Sequence, residues 1–285
     1  MIEKYTNYIK DLPVMPEVAT KVLSIAEDGL DISFKDLENI IKLDPGLTAK
    51  ILKIANSALY ARQREIKNLQ MAITLLGFKN IKSLILLVTA SNLFSKMKKT
   101  TFHKKFWRHS IMTAFLSKNI TIRCRKNEYA EEAFLGGLLH DIGQAVFFNY
   151  DRERYLEILE KEKANIEPLE KLEVDAFNVD HRDVGAAVLA KWNFPEVFVD
   201  IAKEHDRLNI TSSHKSVIIT VTVGGLLSEK LGFGIFADDK KELYSKILPY
   251  SCLKQEDIEY FETSFVGELQ KDPLFRDCKN LFGIA

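Results

Sequence analysis

His140 and Asp141 stand side by side in FLGGLLHDIGQAVFF, residues 134–148, a segment otherwise almost wholly apolar. An ionisable pair in such a setting must be hydrogen-bonded, paired or bound to an ion, because an uncompensated buried charge is costly. Three of the other histidines occupy comparable half-apolar settings: His109 in FWRHSI, His181 in DHRDVGA and His205 in IAKEHD. Imidazole nitrogens and carboxylate oxygens are the ligands that hold divalent transition metals, and helical bundles assemble such sites from facing helices. A lone histidine on a half-apolar face is ordinarily a hydrogen-bonded core residue. Four of them, with an aspartate, point to a shared site.

The elements that must position these residues read as helices throughout. Apolar residues fall at helical spacing between Pro16 and Glu27, and Ser33 followed by Asp36 has the form of a capping box opening DLENIIKL. Asp44 is placed as an N-cap with Pro45 at N1, and Leu47, Ile51, Ile54, Ala55, Ala58 and Leu59 form one stripe. Gly77 ends LQMAITLLG as a C′ glycine. A longer helix begins near Phe102, and others are expected at 130–148, 152–163, 168–178, 184–192 and 195–203. Adjacent residues on one helix point about 100° apart, so His140 and Asp141 share an ion only if it lies over the flank between them. VIITVTVGG, residues 217–225, has strand propensity, but no second strand of similar quality exists to pair with it, so it is read as a buried helix. The expected fold is all-α, a multi-helix bundle. The basic run KMKKTTFHKK, residues 96–105, is read as a solvated linker or helix start. It divides a small N-terminal helical part, 1–98, from a larger one, 99–285.

Composition narrows the function classes. Forty basic residues balance forty acidic ones, which gives no electrostatic reason to expect binding to DNA. The cysteines, Cys124, Cys252 and Cys278, are odd in number and widely spaced, so neither a disulfide framework nor a thiolate zinc site is expected, and a reducing cytoplasm is inferred. MIEKYTNYIKDL is too polar for a signal peptide, and the runs IKSLILLVTA and VIITVTVGGLL fall short of the roughly 20 residues that span a bilayer, so no membrane association is expected.

With these residues in view, AFLGGLLHDIG resembles the HD motif of the HD phosphohydrolase superfamily, and the surrounding chain is similar to its HDOD branch, the HD-related output domain of bacterial signalling proteins. The likeness runs in order through LPVMPEVATKVLSIAED, DPGLTAKILKIANS, AITLLGFKNIKSLILL, FWRHSI, LLHDIG, DHRDVGAAVLAKWNFP and IAKEH, covering about residues 10–210. It implies an all-α fold in which His109, His140 and Asp141 hold a divalent metal (iron, manganese or zinc), with His181 and His205 matching further histidines of the cyclic-dinucleotide phosphodiesterases. The later aspartate of the hydrolytic relatives falls at Gly225, their phosphate-neutralising lysine at Gln144, and their Gly-Tyr-Pro loop is absent; Asp206 is the one neighbouring carboxylate that could substitute.

The resemblance therefore implies a degenerate hydrolase site with no catalytic residues. The expected function is a non-catalytic signal-transduction adaptor acting in trans on kinases and cyclic-di-GMP turnover proteins. The alternative is a metal-dependent phosphodiesterase acting on nucleotides, and a nucleotide bound without cleavage is a third reading. Asp141 is then expected to accept hydrogen bonds from imidazoles or helix N-termini and to hold helices in register. Residues 211–285 are read as a C-terminal cap or a docking face anchored by Tyr260, Phe261, Phe265 and Phe275.

Overall fold

The computed structural model describes residue 8 and residues 15–23, 25, 33–56, 66–94, 97, 100–164, 166–235 and 241–284. Among these every regular element is helical. In chain order they are α1 (Glu17–Leu23), α2 (Phe34–Ile41), α3 (Pro45–Ala55), α4 (Leu69–Leu93), α5 (Thr101–Arg123), α6 (Ala130–Leu139), α7 (Ile142–Tyr150), α8 (Arg152–Lys163), α9 (Leu169–Phe177), α10 (His181–Lys191), α11 (Glu196–Glu204), α12 (Lys215–Ser228), α13 (Lys241–Ile247), α14 (Gln255–Thr263), α15 (Phe265–Leu269) and α16 (Pro273–Phe282). Two compact units form, one from residues 13–95 and 267–285, the other from 1–12 and 96–266.

In the smaller unit the local signals act as expected. Ser33 and Asp36 close a capping box on α2, and Asp44 accepts from the Leu47 N–H with Pro45 in the first turn of α3. Leu47, Ile51, Ile54 and Ala55 are buried; Ala58 and Leu59 lie outside the described residues. Gly77 takes φ 75° and breaks α4, a conformation for which glycine incurs no Cβ penalty. Helix α4 packs against α1, α2, α3 and α16.

In the larger unit α5 lies against α6 and α12, and α10 lies against α7 and α11. Trp107, Phe106, Phe147 and Tyr155 fill its interior, and Phe147 stacks on Phe177 at 4.5 Å. VIITVTVGG is helical, within α12. Val217, Ile218, Ile219, Val221 and Val223 are all buried, so burial on every side overrides β-branched propensity. With the π-helical turn that follows, Lys215–Phe233 becomes a 19-residue segment long and apolar enough to span a bilayer, contrary to the short run expected, but 67% of its most apolar window is buried inside the protein.

Two further expectations are corrected. The helix expected over 130–148 is two helices, α6 and α7, and the break falls on His140 and Asp141. Cys124, at the C-cap of α5, forms a disulfide with Cys252, 128 residues away, at a Cα–Cα distance of 5.6 Å. Sequence spacing could not show this pair, because only the return of residues 251–263 to the end of α5 brings it together. The same return places Arg123 over the Tyr260 ring at 3.6 Å and against Asp257 at 2.9 Å. The pairing removes the redox argument for a cytoplasmic location. Phe261 and Phe265 are buried within this unit, and Phe275 is buried in the smaller one, so these rings are packed core and not docking anchors.

Candidate metal centre

The break between α6 and α7 solves the problem posed by two adjacent ligands. His140 ends one helix and Asp141 begins the next, so the two side chains are no longer held about 100° apart on one cylinder. Helix α5 contributes His109, the first residue of α10 is His181, and His205 caps the C-terminus of α11. All five are buried, at 6% exposure or less. The structure thus brings every candidate ligand to one point.

Asp141 is the hub. Its Oδ2 lies 3.2 Å from His140 Nε2 and 3.6 Å from His109 Nε2; its Oδ1 lies 3.2 Å from His205 Nε2 and 3.6 Å from His181 Nε2. His109 Nε2 and His140 Nε2 are 3.3 Å apart. Ligand atoms about 2.1 Å from a tetrahedrally coordinated ion stand about 3.4 Å from one another, so these spacings are those of a coordination shell. Two ligand groups emerge, His109–His140–Asp141 and Asp141–His181–His205.

The far side of each ring fixes its tautomer. His140 Nδ1 is 2.9 Å from the Gly137 carbonyl and His205 Nδ1 is 2.9 Å from that of Ala202; carbonyls only accept, so both Nδ1 atoms carry hydrogen. In the neutral rings the Nε2 lone pairs then face the Asp141 carboxylate, an arrangement that calls for a cation between them. Burial lowers the pKa of His205, which keeps it neutral, and its buried Nε2 has no hydrogen-bond partner. That orphaned lone pair is what a metal ion would satisfy, and the donor set of imidazoles and one carboxylate suits iron, manganese or zinc.

Electrostatics divide the other members. Burial disfavours ionised Asp141, but the His140 imidazole beside it outweighs burial and holds the carboxyl well below its usual range. Burial likewise opposes charge on His140 and His181. Asp141 nevertheless raises the first, and Glu173, accepting from His181 Nδ1 at 2.6 Å, lifts the second to about 9. Glu173 also accepts from Tyr155 Oη at 2.9 Å and from the His181 N–H at 2.8 Å.

Sequence reasoning missed Glu173, because no periodicity links a residue on α9 to the start of α10. It also missed Ser228, whose Oγ is 3.2 Å from His109 Nδ1, and the carboxylates of Glu162 and Glu229, which line the cleft over His109 and His140. Asp206 lines the same cleft, in a left-handed conformation with φ 62°. His214 stands apart, paired with Asp200 at 2.9 Å. A Cβ built on Gly225 would sit 3.8 Å from His140 Nε2, so this position faces the cluster and offers no ligand. Gln144 is 3% exposed and its Oε1 has no partner.

Residues 12–208, more than half of the chain, match the family model described as the HDOD domain. The chain belongs to the HDOD family. At 24% identity over 221 residues this HDOD chain is similar to an uncharacterized protein of Treponema pallidum (strain Nichols); the match spans 76% of the chain but only 42% of that protein. The fold is shared with an HDOD domain protein of unknown function from Geobacter sulfurreducens, at 19% identity and a TM-score of 0.76 over 99% and 98% of the two chains. It is shared also with a candidate phosphohydrolase of Shewanella amazonensis SB2B, at 18% identity and a TM-score of 0.75 over 98% of each chain. A candidate signal-transduction protein of Marinobacter aquaeolei VT8 matches at 16% identity and a TM-score of 0.74 over 99% of this chain and 65% of its own. All-α architecture and HDOD membership, as the sequence implied, therefore hold.

Proposed function

We propose that this HDOD chain is a non-catalytic signal-transduction module that acts through protein partners of the kinase or cyclic-di-GMP turnover class, and that its histidine cluster holds a divalent metal ion as a structural element. The observation that carries this reading is the lining of the cleft over the cluster. Glu162, Asp206 and Glu229 surround it together with Gln144, and no lysine or arginine is among the lining residues described. A phosphoryl substrate brings negative charge that grows at the reacting centre, and a hydrolase meets it with cations and hydrogen-bond donors. Here the walls carry the same sign as the substrate. A metal in the cluster would supply Lewis acidity, but it would have to overcome three carboxylates without a basic residue from the cleft. The same charge pattern disfavours a nucleotide bound by its phosphates.

The phosphodiesterase reading draws on the cluster itself, which retains four imidazoles and the shared aspartate. The two readings separate in one assay. Protein loaded with manganese or iron is incubated with cyclic-di-GMP and with guanosine tetraphosphate, and products are resolved chromatographically. No turnover is expected; turnover that disappears in His140→Ala would replace the adaptor reading with the enzyme. Partner identity is tested by crosslinking this chain to purified histidine kinases and diguanylate cyclases, where the absence of any saturable complex would count against an adaptor.

A further inference from the structure

The disulfide between Cys124 and Cys252 lies at the surface of the larger unit, with Cys252 exposed and Cys124 half-buried. We propose that this bond is a reversible thiol switch. A dithiol reductant opens it, which releases residues 248–254 from the end of α5 while α14 stays docked. The inference is independent of whether the histidine cluster holds a metal.

Three observations carry it. The first is access. Thiol–disulfide exchange needs an incoming thiolate to reach one sulfur, so exposed disulfides are the labile and regulatory ones. Cys252 stands in the stretch between the 3-10 turn Leu248–Tyr250 and α14, two residues from Tyr250, which is 67% exposed. The second is charge. Cys124 is flanked in sequence by Arg123, Arg125 and Lys126, and Lys254 follows Cys252 by two residues. Lys126 donates to Ser216 Oγ at 2.7 Å and Lys215 lies over the Tyr250 ring at 5.9 Å, so the first turn of α12 adds another cation at this end of the unit. Cations draw in an attacking thiolate and stabilise the one that leaves. The partial negative charge where α5 ends at Cys124 opposes them, as do Asp257, which is paired with Arg123 at 2.9 Å, and Glu256, 3.8 Å from Lys254. The third is a clamp beside the bond. Arg123 lies over the Tyr260 ring at 3.6 Å and the Phe261 ring at 5.5 Å as well as against Asp257, and Phe261 is fully buried. These contacts hold α14 on the end of α5 without the sulfur bridge.

The exchange balances with the dithiol as its one reagent. A thiolate of the reductant attacks Cys252 Sγ, on the more exposed residue, the Sγ–Sγ bond breaks, and Cys124 leaves as a thiolate that takes a proton from water. The second thiol of the reductant loses its proton to solvent and attacks the first reductant sulfur in the mixed disulfide. Cys252 is freed as the thiol, and the reductant closes its own disulfide, having given two electrons and two protons to the protein. Opening is reversible because the clamp keeps the sulfurs close. Only five residues separate Cys252 from Asp257, a tether of at most about 18 Å, and Cys124 adjoins the Arg123 that holds the other end. A tether this short gives the two thiols a high effective concentration for re-closure. The states therefore differ over residues 248–254, a surface segment that carries Tyr250, the most exposed large hydrophobic side chain among the described residues.

The test is thiol counting in the native protein. Full-length wild type is equilibrated, without denaturant, in glutathione buffers of graded reduced-to-oxidised ratio, two glutathione molecules standing in for one dithiol. Thiols are then alkylated under denaturing conditions and counted by mass. The chain has three cysteines, so the closed form takes one label, at Cys278, and the open form three. The count is expected to rise from one to three in reduced glutathione and to return to one in oxidised glutathione, with the helical circular dichroism retained throughout. Amide hydrogen exchange should quicken on reduction over 248–254 and stay unaltered over 257–263. With Cys124→Ser and Cys252→Ser, which each leave one thiol of the pair, Cys252 is expected to take up oxidised glutathione faster than Cys124. A bond that opens only in denaturant, or whose reduction abolishes the helical signal, would be a structural staple and would overturn the proposal. So would three labels in fully oxidised buffer, exchange that quickens over 257–263, or faster uptake at Cys124.

Discussion

Two glycines near the cluster should respond in opposite directions to the same added methyl group. Gly143 follows the HD pair by two residues, at the crossing of α7 and α10. A Cβ there would lie 1.9 Å from the His181 carbonyl oxygen and 2.9 Å from the Gly185 nitrogen, both backbone atoms that no rotamer change can move. Ordinary van der Waals contact begins near 3.4 Å, so Gly143→Ala requires the two helices to part by about 1.5 Å. Overpacking of a well-filled core costs about 1–3 kcal/mol, occasionally more, and a backbone displacement of this size belongs at the upper end. The helical preference of alanine over glycine returns at most about 1 kcal/mol, which leaves a net loss of roughly 2 kcal/mol. The separation would also draw His181 away from Asp141, so metal affinity should fall with stability. At Gly225 the nearest atoms are 3.8 and 3.9 Å away, and Gly225→Ala gains helix propensity without a clash, for a net gain of about 0.5–1 kcal/mol. Urea denaturation of the metal-free variants, followed by far-UV circular dichroism, measures both. Gly143→Ala within about 0.5 kcal/mol of the wild type, or Gly225→Ala less stable by more than about 1 kcal/mol, would refute this account of how the helices cross.

Other consequences are accessible to direct measurement. Glu173→Gln, which weakens the hold on His181 Nδ1, should reduce metal affinity by about 10- to 100-fold in chelator competition, while leaving the helical content unchanged. Metal uptake at neutral pH should release protons, because burial alone would discharge His181 but Glu173 holds its pKa up to about 9 in the metal-free protein. Calorimetry in buffers of different ionisation enthalpy should therefore give different apparent heats, and identical heats would contradict a protonated cluster. The sign for stability is set by the same shift: the His181–Glu173 contribution is complete below the unfolded histidine value and declines as pH rises through about 9. Reduction of Cys124–Cys252 should lower unfolding free energy by up to about 5 kcal/mol, the scale for a closed loop of this length, as measured by denaturation with and without a dithiol reductant.

Much of the architecture could be read from local chemistry. The caps at Ser33 and Asp44, the breaker at Gly77 and the candidate ligands His109, His140, Asp141, His181 and His205 are signalled by residues acting within a few positions of themselves, or by one shared motif. What escaped notice depends on tertiary meeting. The break at His140–Asp141 leaves no proline or polar punctuation, since apolar residues flank it on both sides and the periodicity reads through. Glu173 and Glu229 look like ordinary charged positions on amphipathic helices until the helices are placed. Cys124 and Cys252 carry no spacing signal at all. The gap at Gly225 was legible, because the resemblance names one position at which an acid is expected.

The crosslink between the end of α5 and residue 252 makes the larger unit a closed ring with two tails. His140, Asp141, His181, His205, Gly225 and Glu229 all fall within the ring, and His109 alone sits on the tail side, 15 residues before Cys124. Tension applied through the termini would run through α5, cross at the sulfur bridge and leave by the C-terminal segment without straightening what lies between. Roughly 420–460 Å of contour, 128 residues at about 3.3–3.6 Å each, is thereby shielded from mechanical load, and of the five candidate ligands His109 alone lies on the loaded path.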